Sequence, residues 1–230
     1  MSGVGIARRR FLVSAGAGTV AVTALPATAR AEDKDVGAVE DLMREHGILR
    51  RALLVYSECA LRLRAGQRLD GRPLSQTATL FHEFGEDYHE RKLEEAHIFP
   101  AVKTLGGPLT AAADVLKAQH QRGREITAYI GQATADGRIA NPAALARVLD
   151  KFVRMYRHHA AREDTVVFTG WKDSLTERQL DEFSEKFEEI EKAQFGSDGF
   201  GAAAKRIADI EETLSLGDLA QFTAPPPPKA

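Results

Sequence analysis

Apolar positions recur along this chain at intervals of three and four residues, the spacing of one helical face. From about Val36 to Ala65, Leu42, Leu49, Leu53 and Tyr56 share such a face, and Gly66–Pro73 then reads as a loop. A second helical pattern starts near Ser75 and reaches about Lys103, where Leu105-Gly106-Gly107-Pro108 breaks it. The third opens on Thr110 as N-cap, continues to about Thr134 and ends in the turn Asp136-Gly137-Arg138. Asn141 followed by Pro142 caps a fourth helix, which lasts to about Phe168. Ser174-Leu175-Thr176-Glu177 has the form of a capping box and starts a fifth helix to about Phe195; a shorter one covers about Ala202 to Leu214. No segment reads as a strand, because the β-branched clusters are short and sit inside helix-period patterns.

Four long helices joined by loops of about six to ten residues predict an all-α protein, an antiparallel up-down-up-down four-helix bundle with additional C-terminal helices. The bundle takes residues 35–170, a helical extension 171–216 and a Pro-rich tail 217–230, which the Pro225–Pro228 run predicts to be extended and disordered. The acidic fifth helix (Asp181, Glu182, Glu185, Glu188, Glu189, Glu191) reads as a solvated face.

The N-terminus falls outside this pattern. Arg8-Arg9-Arg10-Phe11-Leu12 matches a twin-arginine motif, followed by a mildly apolar stretch from Val13 to Leu25 and an A-x-A cleavage signal at Ala29-Arg30-Ala31. Residues 1–31 are thus expected to be a twin-arginine signal, read by the twin-arginine translocase, and the mature chain to be periplasmic or extracellular. The stretch is too short and too weakly apolar for a stable membrane span. The whole chain carries 31 basic and 33 acidic residues. Losing Arg8, Arg9, Arg10 and Arg30 leaves 27 basic residues (31 less 4) against 33 acidic ones, a net charge near −6. An acidic chain without a basic stripe is a poor partner for nucleic acid. The single cysteine, Cys59, excludes an intramolecular disulfide and the thiolate clusters of zinc ribbons and iron–sulfur sites.

The chemistry lies in the histidines. His159 and Glu163 stand four residues apart on the fourth helix and project from one face, each offering a metal one donor. His89 and Glu94 form a related run on the second helix, and in both runs a Phe follows the Glu by five residues, at Phe99 and Phe168. His46 lies about ten residues into the first helix and His120 about ten into the third. In an antiparallel bundle, early turns of helices one and three share a layer with late turns of helices two and four. The six residues therefore converge at one end of the core, as a carboxylate-bridged two-metal site requires. Glu90 is four residues before Glu94 on the same face and is a further candidate. His158 is offset by about 100° from His159; His82 is two turns from the layer, and His97 follows Glu94 by three residues.

With Arg44-Glu45-His46-Gly47, His89-Glu90, Glu94-Glu95-Ala96-His97-Ile98-Phe99-Pro100, Gln119-His120 and Ala161-Arg162-Glu163-Asp164 in view, the sequence resembles the hemerythrin-like, HHE cation-binding family over roughly 38–170. The resemblance implies two Fe ions bridged by carboxylates and an oxo or hydroxo group. It assigns His46, His89, His120 and His159 as terminal ligands and Glu94 and Glu163 as bridges. Two departures stand out. The family spacing on helix two is His-x-x-x-Glu, whereas His89 and Glu94 are five apart, a difference that a π-bulge would absorb. Oxygen carriers of the family have a His-x-x-x-His pair on helix three, where this chain has His120 and Arg124. Arg124 either points inward, where its fixed charge would favour a bound anion, or outward to solvent.

The expected function is a non-haem di-iron protein that binds or reacts with a small oxidant: oxygen, peroxide or nitric oxide. Leu42, Leu49, Phe99 and Phe168 would wall the site, and Tyr156 is either a hydrogen-bond donor to a bound oxygen species or a core tyrosine. A metal-storage or delivery module without catalysis is one alternative. The other is an interaction bundle whose histidines are core residues; metal content separates it from the first two, and peroxide turnover separates those from each other.

Overall fold

The computed structural model describes residues 36–228; the expected export signal at 1–31 lies outside them. Helix α1 spans Ala38–Arg64, with Glu40 and Asp41 in its first turn and Arg62 and Arg64 in its last, so both ends complement the helix dipole. Helix α2 runs without a break through Arg72–Leu80, Phe81–Ile98 and Phe99–Thr104. Its middle stretch, Phe81–Ile98, is wound wide, as a π-helix. Helix α3 covers Gly107–Ala133, a 3-10 turn at Ala135–Gly137 follows, and α4 runs through Pro142–Arg162, a wide π turn at Glu163–Val167, and Phe168–Asp173. Helices α5 (Glu177–Phe195) and α6 (Gly199–Thr213) form the extension. Among the described residues there is no strand, and no helix is long and apolar enough to cross a membrane.

The wide winding of α2 answers the spacing problem. Phe99 N–H bonds to the carbonyl of Glu94, five residues back, and Phe168 N–H bonds to that of Glu163 in the same way. One added residue per turn brings His89 and Glu94 onto one face. The second wide turn, after Glu163, has no counterpart in the sequence expectation, because the His159–Glu163 spacing already fits an ordinary helix.

Four helix starts differ from expectation. Helix α2 begins at Arg72 rather than near Ser75, because Pro73 fits the first turn instead of closing the loop. Pro108 sits in the first turn of α3, where its missing N–H costs nothing, so α3 begins at Gly107 rather than at Thr110. The Thr110 hydroxyl instead donates to the Lys103 carbonyl at 3.0 Å. The capping box of α5 is Thr176 with Gln179, not Ser174 with Glu177; the Ser174 hydroxyl donates to the Trp171 carbonyl at 2.6 Å and belongs to the end of α4. Asp198, not a residue nearer Ala202, caps α6. At α4, the Asn141 cap with Pro142 in the first turn stands as read.

An aromatic cluster forms the middle of the bundle core. Phe81 meets Phe152 with ring centroids 5.0 Å apart at 71°, and Tyr56 meets Phe152 edge-on at 5.5 Å. Trp171, fully buried, ties the end of α4 to α5 by stacking on Phe187 at 6.0 Å and meeting Phe183 edge-on. Phe195 closes on Tyr88 of α2, and Arg51 of α1 grips the Glu211 carboxylate of α6 with two N–H donors. The acidic residues of α5 are exposed as expected, except the half-buried Glu191, which accepts from Phe200 N–H at the start of α6. Cys59 is buried and free, and burial pushes its thiol up to about 12. In the tail, a 3-10 turn at Leu219–Phe222 precedes the proline run.

Candidate metal centre

His46, His89, Glu94, His120, His159 and Glu163 are all buried and meet in one layer of the bundle. Glu94 lies between two imidazoles, with Oε1 3.4 Å from His89 Nε2 and Oε2 3.3 Å from His120 Nε2. Glu163 sits opposite, its Oε2 3.0 Å from His159 Nε2 and 3.5 Å from His46 Nε2. The rings pair off: His46 and His89 have centroids 4.7 Å apart, His120 and His159 4.8 Å. Two positions result, one between each histidine pair, and each carboxylate spans from one to the other. The wide turns serve this arrangement directly, since each follows or contains the carboxylate that spans.

Every imidazole is oriented by an oxygen on a neighbouring helix. His46 Nδ1 bonds to Asp164 at 2.6 Å, His89 Nδ1 to Glu45 at 2.6 Å, His120 Nδ1 to Glu95 at 3.0 Å and His159 Nδ1 to Gln119 at 2.9 Å. The four contacts run in a ring, α1 to α2, α2 to α3, α3 to α4 and α4 back to α1. Each fixes the tautomer, placing the proton on Nδ1 and leaving the Nε2 lone pair aimed at the centre. Phe168 stacks on His46 and Phe99 on His120, each with centroids 5.4 Å apart, and these stacks hold the ring planes.

What faces the centre is otherwise unsatisfied. His89 Nε2, both oxygens of Glu94 and both of Glu163 are buried without a hydrogen-bond partner. His120 Nε2 and His159 Nε2 approach to 3.1 Å, a distance that requires a proton or a cation between them. Buried polar atoms left unpaired cost about 1–3 kcal/mol each, more if charged. With the imidazoles neutral, as metal ligation requires, six carboxylates (Glu45, Glu90, Glu94, Glu95, Glu163, Asp164) surround the site against two guanidiniums, Arg50 and Arg124, an excess of four negative charges. The titration behaviour reflects this excess. Burial pushes the His120 imidazole down, but Glu90, Glu94 and Glu95 overturn this and hold it up at about 10. Burial raises Glu94, yet His89 and His120 draw it well below the usual carboxylate range. The donor set, four imidazoles and two carboxylates, suits transition-metal ions, and it fits a two-metal centre.

The remaining sequence candidates separate clearly. Glu90 is buried and lines the cavity beside the centre, one oxygen accepting from the Tyr156 hydroxyl at 2.7 Å and the other from Arg124 at 3.2 Å; it stands 3.9 Å from His120 Nδ1 and with His120 and Glu95 forms a further group that could hold a cation. Tyr156 donates to Glu90 rather than into the centre. Arg124 points neither to an anion position nor to solvent: it pairs with Glu90 and Glu95, mostly buried. Gly123 permits this packing, because a Cβ there would lie 2.0 Å from the Tyr156 oxygen. His158 is exposed, His82 bonds Glu86 at 2.9 Å near the surface, and His97 lies among Phe183 and Phe187. Leu49 lines the cavity beside the centre, and Leu42 is buried in the core.

Sequence reasoning missed Glu45, Glu95, Gln119 and Asp164. Their signal was adjacency: each directly precedes or follows a candidate ligand, and a helical residue offset by about 100° faces the next helix.

The chain matches the hemerythrin HHE cation-binding domain over residues 37–171. It is 40% identical over 201 residues to uncharacterized proteins of Mycobacterium bovis and of Mycobacterium tuberculosis, covering 86% of this chain and 78% of each relative. No solved structure matches the chain significantly. The chain belongs to the hemerythrin-like HHE cation-binding family, and its helical bundle is a metal-binding one.

Proposed function

We propose that the mature protein is an exported non-haem di-iron protein that binds or reacts with a small oxidant: oxygen, peroxide or nitric oxide. His46, His89, His120 and His159 are the terminal ligands in this reading, and Glu94 and Glu163 the bridges. The observation that carries it is a cavity of about 10 Å³ beside the centre, lined by His46, His89, Glu94 and His159. That is room for one water-sized molecule. Leu49, Leu53 and Ala160, with Arg50, Glu90 and Tyr156, complete its walls, so the chain admits something small and excludes bulk water. An excess of four negative charges matches two divalent cations.

When bound, two iron ions supply one-electron redox steps and exchangeable coordination positions. The chain's own contribution is to orient the four imidazoles, hold the two carboxylates between them and keep the cavity small. Arg124 stands where an oxygen carrier of the family has its fifth histidine, which leaves fewer imidazoles to stabilise a reversible adduct. The reading therefore expects oxidant consumption rather than carriage. The test is to expose the anaerobically reduced, iron-loaded protein to oxygen and then evacuate. A persistent diferric spectrum supports the proposal; full return of the colourless diferrous spectrum shows a carrier and refutes it. Export is tested separately: Lys at both Arg8 and Arg9 should retain the precursor inside the cell, and continued export in a strain lacking the twin-arginine translocase would refute that part.

A further inference from the structure

The two helix pairs carry matching sets of residues. Glu45-His46 and Arg50 on α1 correspond to Gln119-His120 and Arg124 on α3, while Glu94-Glu95 and Phe99 on α2 correspond to Glu163-Asp164 and Phe168 on α4. The contacts correspond too. Asp164 bonds His46 and is paired with Arg50; Glu95 bonds His120 and is paired with Arg124. The correspondence breaks where the remaining two histidines are held: His89 bonds a carboxylate, Glu45, and His159 bonds a neutral amide, Gln119.

This difference bears on the metals. A carboxylate accepting from Nδ1–H gives a charge-assisted bond and raises the basicity of the imidazole at its other nitrogen; an amide oxygen does so less. The surroundings widen the gap. Glu45 is 1% exposed, so its charge acts in a low dielectric. Gln119 is half-buried and, with His159, lies in an open apolar groove lined by Val115, Val166, His158 and Arg162. Glu90 adds a charge on the His120 side, 3.9 Å from His120 Nδ1, but it bonds neither imidazole there: His120 Nδ1 bonds Glu95, and His159 Nδ1 keeps only the amide.

We propose that the two metal positions are unequal, that the His46/His89 position binds its metal first and tightly, and that the His120/His159 position is the weaker, exchangeable one, with Glu45 against Gln119 setting the difference. The inference rests on the two-metal reading above. Both residues act through a histidine and are positioning residues.

Calorimetric and optical titration of the metal-free, full mature chain with cobalt(II) tests it. Two resolved steps are expected, with affinities about 10–100-fold apart, the effect typical of outer hydrogen-bond partners on metal ligands. His159→Ala should abolish the weak step and His89→Ala the tight one. Gln119→Glu, nearly isosteric, should bring the steps within about threefold by tightening the second, and Glu45→Gln should do so by weakening the first. Strengthening in Gln119→Glu is the informative result, since a merely structural Gln119 could only be neutral or damaging when replaced. Two equivalent cobalt ions in the unaltered protein would overturn this inference and leave the two-metal reading standing, as would Gln119→Glu without effect on the second step. No cobalt bound at all would overturn that reading, and this inference with it.

Discussion

Phe81, Phe152 and Tyr56 pack with nothing polar between their rings, whereas the histidine–glutamate layer beside them is buried to the same degree and carries most of the protein's buried charge. Tyr156 marks the border. Its ring packs on Phe81 and Phe152 at 4.9 and 4.7 Å, and its hydroxyl serves Glu90. The apolar region is stabilised by area removed from water and needs no ligand. The polar region has oriented imidazoles and carboxylates whose inner atoms have no partner in the chain. Equal burial thus has opposite meanings: one region holds the fold, and the other depends on a cation to be favourable.

If that division is right, substitutions on each side should fail in different ways. Glu163→Ala, which takes away a carboxylate shared by both positions, should remove most of the bound metal, and His159→Ala the metal of the His120/His159 position, while the bundle still folds; His158→Ala, one residue away and exposed, should leave metal content near normal. Elemental analysis of the three variants decides it, and damage confined to His158→Ala would mean that α4 faces the core differently.

Phe152→Ala should show the converse. Truncating a fully buried Phe costs about 3–5 kcal/mol, and chemical denaturation should give the same loss with metal present or removed. A loss that appeared only in the metal-loaded protein would erase the distinction between the two regions.

Metal removal should destabilise by linkage. A ligand present at 100 times its Kd stabilises the native state by about 2.7 kcal/mol. At about 2–4 °C per kcal/mol for a chain of this size, chelation should lower Tm by about 5–10 °C. The shift should vanish in Glu163→Ala. Identical melting curves with and without bound metal would argue against a site built into the core.

The border itself can be probed with Gly123→Ala. Overpacking against the Tyr156 hydroxyl costs about 1–3 kcal/mol, and the better helix propensity of Ala returns up to about 1 kcal/mol. A net loss near 1 kcal/mol is expected, abolished when Tyr156→Phe removes the clashing oxygen. Persistence of the full loss in the double variant would show that Gly123 has another role.

The sequence by itself determined the four long helices, because their apolar period and the Asn141-Pro142 cap are local signals. It also determined which of His158 and His159 faces the core, since Phe152, Val153 and Tyr156 fix the buried stripe of α4. The shared depth of His46, Glu94, His120 and Glu163 followed from antiparallel counting alone. Start sites with two competing local signals were settled only in three dimensions: Ser174 yielded to Thr176, and Thr110 to a start at Gly107. So was the path of α2, where the five-residue spacing of His89 and Glu94 posed a question that the wide turns of Phe81–Ile98 answer. The ring of Asp164, Glu45, Glu95 and Gln119 around the imidazoles belongs wholly to the tertiary structure. Each of those contacts joins two different helices, and its existence depends on their mutual rotation and depth to within an ångström or so. Periodicity along one helix fixes which way a residue points; only packing decides what stands there to meet it.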